Sequence, residues 1–169
     1  MLASLSQDLS QPEYIHVLIN PMPVYGLAMG IIALIIALLQ RSRTAQIAAL
    51  TLIFLSGAIA WPVVHYGEEG YDRVISMADD QGEAWLKAHE HRADQLAWIL
   101  YVLAGVAAIA ILAPIKWPKT GTGLAVVTLA LSLIALGVGG YIAQAGGKVR
   151  HREFRSEPAP SVPPEPDEN

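Results

Sequence analysis

Residues 121–145 read GTGLAVVTLALSLIALGVGGYIAQA, and residues 146–155 read GGKVRHREFR. From Leu124 to Ala143 there is no charged residue, a run of twenty. At about 1.5 Å of rise per residue, a helix of that length matches the ~30 Å hydrocarbon core of a bilayer. The run then gives way at once to Lys148, Arg150, His151, Arg152, Glu153 and Arg155. The stretch therefore predicts a membrane-crossing helix that delivers a histidine and several charges to one surface.

Three earlier runs have the same character. They predict spans at 24–40, 45–65 and 95–113, with the fourth at 124–143. Composition agrees: 53% of the 169 residues are hydrophobic and 15% are charged, against about 25% charged in a soluble domain. The expected fold is all-α, an integral membrane four-helix bundle forming one domain over residues 1–155. No basic region precedes an apolar core at the N-terminus, so the first span itself is expected to direct insertion. Pro21 and Pro23 suit a turn ahead of the first span, and Pro62 a kink in the second. Gly26 and Gly30 form a G-x-x-x-G pair that lets another helix approach closely. Residues 67–92 predict a short interfacial helix, a break near Gly82, and then a helix leading into the third span. Residues 156–169 (SEPAPSVPPEPDEN) are acidic and Pro-rich and predict disorder. No internal repeat is evident.

Four spans put both termini on one side, together with the 67–92 connection. All fifteen acidic residues fall there, and so do all five histidines: His16, His65, His89, His91 and His151. The opposite side holds two short turns with Arg41, Arg43, Lys116 and Lys119 and no acid. Weighting positive charge near early spans puts those turns in the cytoplasm, and both termini in the periplasm. The Lys148–Arg155 cluster argues the other way.

The absence of cysteine excludes disulfides, thiolate-bound zinc, iron–sulfur clusters and covalently attached haem. Imidazole and carboxylate remain as ligands for a metal ion, and a histidine pair for a b-type haem. The candidate metal ligands are His16, Glu68, His89, Glu90 and His151. The candidate cofactor-binding residues are His16, His89, His151 and Arg150, the arginine neutralising a carboxylate or haem propionate. His89 and His91 stand about 200° apart round a helix, so only one of them faces the bundle, and His89 continues the Trp85–Ala93–Ala97 face. Interfacial histidines are equally at home when merely solvated, and Arg150 and Arg152 when bound to headgroups.

The motifs HVLINPMPV (16–24), GEE (67–69), AHE (88–90) and GGKVRHREFR (146–155) carry a resemblance. From His16 to Arg155 the chain resembles a family of small four-helix bacterial inner-membrane proteins with no settled activity. Members usually carry histidine where Pro21 stands. The resemblance implies family motif positions at His16, Asn20, Glu68, His89, Glu90, Arg150, His151 and Glu153, and a membrane protein linked to a metal ion or haem.

Three functions are weighed. One is a binding or electron-transfer protein holding a metal ion or haem b at a His/Glu-lined outer mouth. Another is a non-catalytic accessory subunit, packed on the subunits of a larger membrane complex or on a second copy of itself. A transporter fits least, because the span interiors lack ionisable residues other than tyrosines. Nothing points to an enzyme, and the lipid bilayer rather than nucleic acid is the expected partner.

Overall fold

The structure, a computed structural model, describes residues 7–162. Its helices are α1 (Pro12–Ile19), α2 (Met22–Leu39), α3 (Arg43–Ala58), α4 (Ala60–Ser76), α5 (Asp80–Leu96), α6 (Trp98–Lys116) and α7 (Gly121–Arg150). Short 3₁₀ turns at Pro118–Thr120 and Arg152–Phe154 flank α7. Joined end to end, the helices make four rods: Pro12–Leu39, Arg43–Ser76, Asp80–Lys116 and Pro118–Arg150. Each contains an 18-residue window of mean hydropathy between 2.1 and 2.5, long and apolar enough to cross a membrane.

Local chemistry sets the joints. Ser42 caps α3 by accepting from the Ala45 N–H at 3.3 Å, and Asp79 caps α5 by accepting from the Gly82 N–H at 2.8 Å. Arg41, just past α2, has φ of 51°, the left-handed turn that ends many helices. Pro23 stands in the first turn of α2, where its missing N–H costs nothing.

The bundle interior mixes leucine and isoleucine with many small residues. Ala104, Ala107, Ala110, Ala125, Ala135, Thr128 and Ser132 are buried, while Ile32, Leu39, Ile115 and Ile134 are exposed. Exposed apolar side chains of this kind are compatible with a lipid surround, and the small buried residues let the helices approach closely. The glycine pair does what its spacing suggests. A Cβ on Gly30 would stand 2.7 Å from Ile53 Cγ1, and one on Gly26 would meet Ser56 Oγ on the same helix, α3.

Pro114 lies inside α6 and deprives the Ala110 carbonyl, four residues earlier, of its helical donor. Arg43 supplies the replacement, its Nη2 donating to Ala110 O at 2.9 Å. Arg43→Ala should therefore destabilise the bundle by about 1–3 kcal/mol. In a Pro114→Ala background the restored backbone N–H takes that carbonyl, so the cost should fall. Thermal unfolding in detergent measures the cycle, and strictly additive losses would refute the coupling.

The rods run past the expected spans at the histidine-bearing end. Residues 67–92 form no separate interfacial helix. They continue α4 to Ser76 and resume as α5 at Asp80, across a turn at 77–79. The reason is apolar surface: Trp85 and Leu86 pack with Ala88, Ala145 and Val149, against Tyr71, Val74 and Ile75. This distal core is separate from the bundle core of Leu27, Leu34, Leu50, Ile53, Leu100 and Leu103. The start of the Pro-rich tail joins it, through Ala159 and Val162. Residues 163–169, the rest of the segment expected to be disordered, lie outside the described residues, as do residues 1–6.

Candidate functional site

A cavity of about 540 Å³ opens where the two cores meet. Its walls include Ala60 and Leu100 from the bundle core and Leu86 and Val149 from the distal core. His16 enters from α1 and His89 from α5.

The two histidines are held alike. His16 Nδ1 is 2.8 Å from the Val63 carbonyl on α4, and His89 Nδ1 is 2.9 Å from the Ile142 carbonyl on α7. A carbonyl only accepts, so each Nδ1 carries the proton and donates it. The lone pair is then on Nε2 of each ring, and among the described residues neither Nε2 has a hydrogen-bond partner. This is the arrangement in which backbone carbonyls orient metal-bound imidazoles. The ring centroids are 6.2 Å apart and the planes stand at 81°.

Neighbouring residues fix α5 against α7. Arg92, buried, donates to Tyr141 O at 2.7 Å and to Gln144 Oε1 at 3.1 Å. Its guanidinium sits 3.8 Å from the centre of the Tyr141 ring, a cation–π contact. Arg92 and His89 thus take consecutive carbonyls of α7.

The remaining predicted residues divide. Glu68, Glu90 and Arg150 line the cavity. Among the described residues Arg150 has no ion-pair or hydrogen-bond partner, so its charge is available at the rim. His151 does not line the cavity. The helix ends at Arg150, and the extended backbone of His151 turns the chain away. Its ring stacks on Phe154 at 4.8 Å, with Nδ1 2.9 Å from Glu153 Oε1. That hydrogen bond, ahead of any other effect, holds the Glu153 carboxyl below the usual glutamate range. His65 is exposed, stacked on Trp61 and 3.5 Å from Glu69. Among the described residues no three of His, Asp and Glu gather closely enough to hold a metal ion. Of the three histidines expected to act together, the fold brings His16 and His89 into one cavity, with Glu68 and Glu90 in its lining, and leaves His151 outside.

Sequence reasoning missed the parts that carry no side-chain signal: the Val63 and Ile142 carbonyls, and the glycines beside them, Gly67 and Gly146. It also passed over Arg92, which reads as an ordinary interfacial charge. No family model, curated protein or solved structure matches this chain.

Proposed function

We propose that the protein is a multi-pass inner-membrane protein that binds b-type haem between His16 and His89 and transfers single electrons. The observation that carries this reading is the paired imidazoles, each with Nδ1–H on a carbonyl and a lone pair left over, 6.2 Å apart by ring centroid. With metal–nitrogen bonds of about 2 Å, imidazoles on opposite sides of one metal have centroids about 6 Å apart. Two members of a tetrahedral set would stand nearer to about 5 Å. A pair that, among the described residues, is joined by no third His, Asp or Glu in a metal-holding group suits haem, whose own nitrogens supply the other ligands, better than a bare ion.

The surroundings support it. The cavity volume lies within the ~300–1,000 Å³ range of small-molecule sites. Arg150 at the rim suits a propionate, as a charge-assisted hydrogen-bond donor. Held by His16 and His89, haem would supply a one-electron couple rather than a site for substrate. The positive charge of the turns that carry Arg41, Arg43, Lys116 and Lys119 supports a cytoplasmic side for them and a periplasmic side for the haem mouth. Membership of the small four-helix inner-membrane family is part of the same proposal.

The test is an absorption spectrum of chain produced with haem supplied. The expected result is a Soret band, sharp visible bands on reduction, and stoichiometric haem. Colourless protein would sink the reading. One observation favours the accessory-subunit alternative: Gly123, Gly137 and Gly140 have nothing within 4 Å, leaving notches along α7 for a partner helix. A chain that purifies alone and monomeric in mild detergent would oppose it.

A further inference from the structure

Both histidine rings occupy space that a side chain would otherwise fill. A Cβ on Gly67 would lie 3.0 Å from His16 Nδ1 and 3.1 Å from its Cε1. A Cβ on Gly146 would lie 3.0 Å from His89 Cε1 and 3.1 Å from its Nδ1. Each glycine stands four residues after the carbonyl its ring bonds: Val63 and Gly67, Ile142 and Gly146. On a helix, positions four apart lie one above the other on one face. A ring reaching that carbonyl from the side must therefore cross the glycine position.

The relation occurs twice, once in each half of the molecule. In the first half α1 packs on α4, and in the second α5 packs on α7. The segments VVHYG and IAQAG share only a β-branched residue at the start and a glycine at the end. Those are the two positions the ring uses. Gly26, Gly30, Gly57 and Gly70 are packed just as closely but against other groups, and only Gly67 and Gly146 meet a histidine ring.

We infer that Gly67 and Gly146 are positioning residues for His16 and His89, each seating its ring edge-on so that Nδ1–H meets the carbonyl and Nε2 is presented to the cavity. The consequence for ligation rests on the haem reading above; the seats themselves do not.

Two arms test it on the full chain. In haem-loaded protein, Gly67→Ala and Gly146→Ala should each convert the low-spin electron paramagnetic resonance signal to a high-spin one. Added imidazole should restore it, and Gly123→Ala and Gly140→Ala should leave it unchanged. A wild-type signal in both seat variants would overturn the inference. In haem-free protein, Gly67→Ala should lower Tm in the wild-type and His89→Ala backgrounds but not in His16→Ala. Gly146→Ala should show the mirror pattern. Equal losses in every background would reduce the glycines to packing and overturn the inference. Colourless wild-type chain would sink the haem reading alone and leave the Tm cycles to decide the seats.

Discussion

Replacing His16 or His89 with alanine is expected to abolish the proposed haem binding. Each change removes one Nε2 from the pair and leaves the other without a partner across the cavity. Loss of an orienting group beyond the ligands already costs about 10–100-fold in metal affinity, so loss of a ligand should exceed that. His151→Ala should keep full haem content, because that ring lies off the cavity against Phe154 and Glu153. So should His65→Ala, whose ring stacks on Trp61 at the exposed face of α4. Arg150→Ala should keep the spectrum but weaken haem retention, since it loses a rim charge and no ligand. The measurement is haem per chain after detergent purification, alongside helix content by circular dichroism. Retention of haem by both His16→Ala and His89→Ala would remove the pair from consideration. Bleaching by His151→Ala would restore the ligand set expected from sequence.

How much of this was legible in the chain differs by level. The four rods were legible, because an uncharged run as long as Leu124–Ala143 reads as one long apolar helix whatever its order. The ends were not. Val74, Ile75, Trp85 and Leu86 read as anchors of an interfacial helix, yet that apolar surface is satisfied equally by α4, α5 and α7 packing on one another beyond the spans. Window hydropathy cannot separate those two burials. The site was half legible. His16 and His89 were named from their residue type and their end of the bundle, and His89 was preferred over His91 by helical phase. His151 was grouped with them because it follows the fourth span, but one residue beyond a helix terminus the chain can turn anywhere. The carbonyls that fix the tautomers were illegible because every residue has one. The seats were illegible as well, since Gly67 and Gly146 are two of fourteen glycines and mean something only once the facing helix is known.

Arg155→Ala should undo the distal half of the molecule while leaving the bundle core folded. The Arg155 side chain is 6% exposed and makes contacts in three directions. Nη1 donates to both Asp79 oxygens at 2.8 and 3.0 Å. Nε donates to Lys148 O at 2.7 Å and Nη2 to Val149 O at 2.6 Å. The last two are carbonyls at the end of α7 that have no helical donor left. Loss of their charged donor should cost about 2–3 kcal/mol. Arg155→Lys should recover little, since one ammonium cannot span a carboxylate and two carbonyls. The second cation, Arg152, reaches Asp79 at 2.9 Å but is largely exposed, so it compensates weakly.

The same contact predicts an acid dependence. The Asp79 carboxyl is held below the usual aspartate range, first by the Gly82 N–H, then by Arg155 and Arg152. A carboxyl with a depressed folded pKa adds stability above its unfolded pKa and loses it as pH falls through the folded value. The clasp is therefore complete at neutral pH and fails only in acid, below the ordinary aspartate range. Asp79→Asn keeps the shape but removes the charge, so its unfolding midpoint should depend less on pH across that range than the wild type's. Limited proteolysis at the 77–79 turn and thermal melts from neutral to acidic pH read both effects. The clasp also bears on the cavity, because it ties the start of α5 to the end of α7, the two helices that carry His89 and Gly146. Arg155→Ala should thus lose haem more readily although no ligand is touched. If that variant melts in one transition with wild-type cleavage at the turn, the distal half is held by its apolar core alone and the clasp is ornamental.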